Sequence, residues 1–139
     1  MLALLLAIQL IPYRPSANPT VVAEPPWDSP QTRALAQRAC FDCHSNATVW
    51  PAYSYVAPAS WLIVHDTLDG REHLNFSEWG VPRQAHGGRE REDPGEEAGK
   101  EIRRGSMPPR MYLLLHPSAR LSDAEKQQLI DGLAASLRQ

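Results

Sequence analysis

Two cysteines separated by two residues, with a histidine directly after them, constrain this 139-residue chain more than any other feature: Cys40-Phe-Asp-Cys-His44. They are its only cysteines, so a scaffold stapled by several disulfides is excluded. A lone disulfide across so short a loop would be strained. A thioredoxin-like redox pair follows a strand in a βαβ unit, whereas the residues before Cys40 read as a helix and no parallel-sheet pattern appears. A zinc site needs four ligands, usually with paired spacing in its second half. The other histidines, His65, His73, His86 and His116, form no such pair. A zinc-binding interaction module built on Cys40 and Cys43 therefore stands only as an alternative.

The pattern Cys-x-x-Cys-His is the signature of covalent c-type haem attachment. Each thiol adds to one porphyrin vinyl group, and two intervening residues in a tight helical turn set the sulfurs at the vinyl separation. His44 then lies under the iron as an axial ligand. Cys40, Cys43 and His44 are thus the expected cofactor-binding residues, for one covalent haem. The second axial position can be methionine, histidine or open. Met107 is the preferred candidate, because Pro108 and Pro109 stiffen its loop. Met111 lies in an apolar helical segment, Arg110 to Leu115, and reads better as a core filler. His116 and His65 are the histidine alternatives.

A formal charge of −2 excludes the basic footprint of a nucleic-acid binder. Residues 1–11 are apolar except for Gln9, too short a run to span a bilayer and of signal-core length. They read as a signal or anchor segment, with a short buried helix of the domain as the alternative. Six prolines follow between Pro12 and Pro30, so residues 12–29 read as a semi-rigid proline-rich linker. Trp27 favours the alternative, an ordered arm wrapped on the domain. The haem domain is expected over residues 30–139 and to be all-α. Ser29 caps a helix with Pro30 at its first position. A second helix follows Pro58, with Trp61, Val64, His65 and Leu68 on one face and Gly70 at its stop. A third runs from Asp93-Pro94 to about Gly105. The last opens on the capping box Ser122-Asp-Ala-Glu125 and carries Leu129, Ile130, Leu133 and Leu137 on one stripe, with Arg138 in its last turn. Val81 to Asp93 reads as an exposed loop. Trp50, Tyr53, Tyr55, Trp61, Phe76 and Trp79 are candidate core or haem-pocket aromatics, and Arg71 is a candidate partner for a haem carboxylate.

The order of helix, Cys-x-x-Cys-His, long middle, Met-Pro loop and Leu-Ser-x-x-Glu helix resembles a small class I cytochrome c. More narrowly, the chain resembles the bacterial haem-binding domain family in Cys40 to His44, Gly70 to Trp79, Ser106-Met-Pro-Pro109, Leu114-Leu-His-Pro117 and Leu121-Ser122. The resemblance spans about residues 30–139. It implies an all-α cytochrome c-like fold, thioethers at Cys40 and Cys43, and iron ligation by His44 and Met107. It further implies a hydrophobic anchor and a proline-containing stretch at the start. No acid–base constellation or substrate pocket is evident in the sequence, which favours a one-electron carrier with redox partner proteins over an enzyme. Covalent attachment of this kind occurs outside the cytoplasm, which implies a periplasmic or outer-face location. A haem peroxidase or a gas or redox sensor with a displaceable distal ligand is the alternative within haem chemistry.

Overall fold

In the computed structural model, residues 1–82 and 93–138 are described; most of the loop expected from Val81 to Asp93, including His86, lies outside them. The described residues are helical, in the order α1 (Leu2–Ile8), α2 (Pro30–Ala39), α3 (Phe41–His44), α4 (Ala59–His73), α5 (Pro94–Arg104), α6 (Arg110–Leu115) and α7 (Asp123–Ser136). Short 3₁₀ turns cover Ala52–Tyr55 and Pro117–Ala119. The only strand-like pairing among them is an isolated parallel bridge between Ala23 and Glu78.

Local chemistry sets the helix ends. Ser29 accepts a hydrogen bond from the Thr32 amide, with Pro30 in the first turn of α2. Asp93 accepts from the amides of Gly95 and Glu96 at the start of α5, which stops at left-handed Gly105. That conformation costs glycine no Cβ clash. The Ser122 and Glu125 capping box opens α7. Arg138 lies one residue beyond the Leu137 cap and donates to the Ala134 carbonyl.

The core joins α2, α5 and α7. Leu35 and Ala36 of α2 meet Ile102 of α5 and Leu129, Ile130, Leu133 and Leu137 at α7. Gly132 marks the tightest crossing: a Cβ there would lie 2.1 Å from Thr32 Oγ1. Phe41 and Phe76 stack at 5.5 Å, and Trp27 tilts onto Phe76 at 5.3 Å.

Trp27 therefore docks, and the proline-rich stretch is an ordered arm rather than a free spacer. Its backbone polar groups cannot pair within a proline-rich segment, and they pair with the domain instead. The Val22 amide donates to the Ser77 carbonyl, and the Trp79 amide to the Ala23 carbonyl. Asn18 donates to the Thr48 carbonyl, and Asn46 to the Thr20 carbonyl. Glu24 takes both arms of the Arg33 fork at 2.7 Å and the Trp27 indole N–H, and the Arg33 bonds hold its carboxyl below the usual range. Even Gln9, the polar residue of the apolar run, pairs both side-chain ends with the Ala57 backbone at 3.0 Å. None of the described helices is long and apolar enough to cross a membrane.

Two further expectations fail. Helix α4 runs past Gly70 to His73 and buries Ser60, Val64, Thr67 and Gly70. His65 and Leu68 are exposed. Small residues win that face because α4 crosses α3 too closely for larger ones. Helix α6 forms as expected but buries none of its residues, and Met111 is 66% exposed, so it is no core filler.

Arg38 of α2 bonds Glu125 at 2.6 Å. The Ser122 amide, Arg38 and the Ser122 hydroxyl together depress the Glu125 carboxyl from 4.5 to about 2. A depressed folded-state pKa contributes stability above the unfolded value, and the contribution disappears as pH falls through the folded one. Denaturant titrations of Glu125→Gln should therefore differ from the unmutated protein at neutral pH, and the difference should shrink between about pH 4.5 and pH 2.

Candidate haem site

Several exposed apolar side chains of the helical domain share one location. Val49, Leu62, Met111 and Leu115 are exposed, yet all line a cavity of about 1240 Å³. Cys40, Cys43, His44 and Met107 line the same cavity. A concave space bounded largely by Leu, Val and Met side chains suits a large apolar group.

Helix α2 delivers the two cysteines. Its cap is Cys40, whose amide donates to the Ala36 carbonyl, and the His44 amide donates to the Cys40 carbonyl. The turn Phe41–His44 thus continues the helical path after a break at Cys40. Both thiols are free. Burial pushes Cys40 up to about 12 and Cys43 up to about 11, with Asp42 and Asp66 adding to the latter. That direction is opposite to the one that activates a redox thiolate. Among the described residues, no group of three or more His, Cys, Asp or Glu is placed to hold a metal ion.

His44 is fixed at two points. Its carbonyl accepts from the Phe76 amide at 2.8 Å, and its Nδ1 lies 3.0 Å from the Leu74 carbonyl oxygen. A carbonyl only accepts, so Nδ1 carries the proton. Burial lowers the ring's pKa, and the neutral ring keeps the Nε2 lone pair for a metal. The segment holding His44 is itself held. Asn75 donates to Asn46 Oδ1, Ser77 Oγ accepts from the Asn46 amide, and Asn75 Oδ1 accepts from the Ser77 amide.

Gly70 brings α4 against this turn. A Cβ on it would sit 2.7 Å from the Cys43 carbonyl oxygen and 3.2 Å from Cys43 Cβ. Elsewhere in the cavity lining, the amides of Ser106 and Met107 both donate to the Glu101 carbonyl, fixing the loop that carries Met107. Met107 is 40% exposed.

The competing histidines are otherwise engaged. His65 is exposed, lies against Asp66, and is not among the cavity residues. His116 lines the cavity, but its ring stacks on Tyr112 at 4.1 Å. Its Nδ1 faces the Tyr112 carbonyl and its Nε2 the Tyr53 hydroxyl. Arg71 does not reach the cavity. It donates to the Ser45 carbonyl, Asn18 Oδ1 and Thr48 Oγ1, so the expected carboxylate partner is a tie between arm and site. Of the aromatics, Trp50, Tyr53, Phe76 and Trp79 line the cavity. Tyr55 is exposed, and Trp61 lines a shallow hollow with Ile11 and Tyr13. The indole N–H of Trp50 is buried without a partner, a donor that a ligand carboxylate would satisfy.

Volume, apolar lining, reduced paired cysteines and a tautomer-fixed histidine all fit an iron porphyrin. The sequence model of the family described as Haem-binding domain matches residues 3–135. The chain belongs to that family, and it binds haem. The match begins at residue 3, so it takes in the arm and α1 as well as the helical domain, beyond the span from residue 30 expected from the motifs. No curated protein and no solved structure gives a significant match to the chain.

The Gly70 crossing yields a direct check. Gly70→Ala forces the Cys43 backbone outward, and overpacking of this kind costs about 1–3 kcal/mol. The variant should carry less haem per chain and melt lower than the unmutated protein, by absorbance and thermal denaturation.

Proposed function

We propose that the chain is a monohaem c-type cytochrome that carries one electron at a time. Haem is attached through thioethers at Cys40 and Cys43, with His44 and Met107 as the axial ligands. The observation that carries this reading is the pair of reduced cysteines on the cavity beside a histidine whose Nδ1 is committed to the Leu74 carbonyl. Bound haem supplies an iron that cycles between ferric and ferrous states.

The protein's own part is positional. His44 is held by Leu74 and Phe76, which limits rearrangement when the iron changes charge. Met107, on a loop tied to Glu101, offers a neutral thioether, which favours the ferrous state and a raised potential. Trp50 offers its unpaired indole N–H to a haem carboxylate. Leu62, Met111 and Leu115, which line the cavity, would shield the bound group from water.

The proposed setting is the periplasm or the outer face of the cytoplasmic membrane. Helix α1, with Leu2, Leu4, Leu5 and Leu6 all exposed, is the proposed membrane contact, and redox proteins are the partners.

Spectroscopy of the membrane and soluble fractions tests the reading. The expected outcome is a c-type pyridine haemochrome, chiefly in the membrane fraction, and a methionine-to-iron charge-transfer band that disappears in Met107→Ala. A haemochrome of non-covalent haem overturns the attachment, and a band that survives in Met107→Ala overturns the distal ligand. Rapid carbon monoxide binding by the unmutated ferrous protein would replace the carrier by a sensor or haem enzyme.

A further inference from the structure

Helix α6 follows Met107 after two prolines, yet it buries no residue. Among the described residues, the element it packs on is the 3₁₀ turn Pro117–Ala119 that follows it. Something other than a hydrophobic face must hold it beside the cavity. Its tie to the cysteine turn is a hydrogen bond from Tyr112 Oη to Asp42 Oδ2, at 2.7 Å. Asp42 is the residue between the two cysteines that precedes Cys43. Its other oxygen accepts from the Val49 amide at 3.0 Å, so the carboxylate is itself fixed at both oxygens. Asp42, Val49, Tyr112 and Met107 all line the cavity. At the end of α6, His116 stacks on Tyr112 and meets Tyr53, which keeps the phenol ring in register.

The Met107 loop is thereby held from both sides. Before it, Glu101 takes the Ser106 and Met107 amides; after it, α6 is tied across the cavity by Tyr112. Proline at 108 and 109 transmits position between the two. We infer that the Tyr112 to Asp42 hydrogen bond is a latch that holds the Met107 loop against the haem site and sets how readily an outside ligand displaces the thioether. Tyr112 is then a positioning residue. This rests on the proposed ligation by His44 and Met107. A hydroxyl bonded to a carboxylate is among the stronger hydrogen bonds, so its loss should be readable as an affinity change.

The test uses ferric, haem-loaded full-length protein and imidazole as the competing ligand, followed by absorbance. Tyr112→Phe should raise the affinity for imidazole about tenfold or more and weaken the methionine-to-iron band. In a Met107→Ala background the same substitution should change the affinity by no more than about twofold, because no thioether remains to be displaced. A merely structural effect of the hydroxyl would move both backgrounds equally, and that result overturns the latch. So does an unchanged affinity in Tyr112→Phe when Met107→Ala alone abolishes the band; the distal ligand then stands and the latch falls. If Met107→Ala changes neither the band nor the imidazole affinity, ligation by Met107 fails first and the latch with it. Should Tyr112→Phe not load haem, Asp42→Asn serves in the same cycle, since a neutral amide oxygen is the weaker acceptor.

Discussion

Everything at this site depends on how one imidazole is held by main-chain groups. Leu74 accepts from the ring of His44, and Phe76 donates to its carbonyl. Because both partners are backbone, side-chain substitution at 74 or 76 leaves the bonds available, but any shift of the segment moves the ring. The segment is accordingly over-determined. Asn46, Asn75 and Ser77 bond one another in a buried cluster, and Phe76 anchors it apolarly against Phe41, the residue that follows Cys40. A buried polar network is costly unless fully paired; here its bonds converge on a single metal-competent side chain.

The arm belongs to the same construction. Ser77 accepts from the Val22 amide, Ala23 accepts from the Trp79 amide, and Thr20 accepts from Asn46. Arg71 bonds the arm at Asn18, Thr48 beyond the cysteine turn, and the Ser45 carbonyl next to His44. The stretch before Ser29 is thus part of what positions the ring.

Part of this was legible in the sequence. Caps, prolines and the α7 stripe are local signals, and Ser29, Asp93, Gly105 and Ser122 stand where local chemistry requires. The cysteine turn was legible because its spacing carries its own chemistry. The arm was not, because proline content reports backbone stiffness and says nothing of what an extended segment lies against; Trp27 was its one side-chain signal. The face of α4 was misread for a related reason. Of Trp61, Val64, His65 and Leu68 only Val64 is buried, together with Ser60, Thr67 and Gly70, and Gly70 must be small because the Cys43 backbone lies against it. Helix α6 misleads in the opposite sense. Its apolar residues suggest a protein core, yet Met111 and Leu115 line the cavity instead. The bonds of Arg71 and Tyr112 join residues 26 and 70 positions away from their partners, beyond any periodicity.

The ordered arm also changes what a tether can do. A free proline-rich spacer would let a haem domain range over several orientations. Here the chain is already bonded to the domain at Gln9, through Ala57, and again at Asn18, Thr20, Val22 and Ala23. Little free length is left between α1 and the first of these contacts. If α1 meets a membrane, the domain is carried at a set distance and attitude, and the proposed exchange of electrons would then require partners to approach the domain rather than the domain to swing toward them. Disturbing the arm would then act twice, on the attitude of the domain and, through Ser77 and Arg71, on the seat of His44.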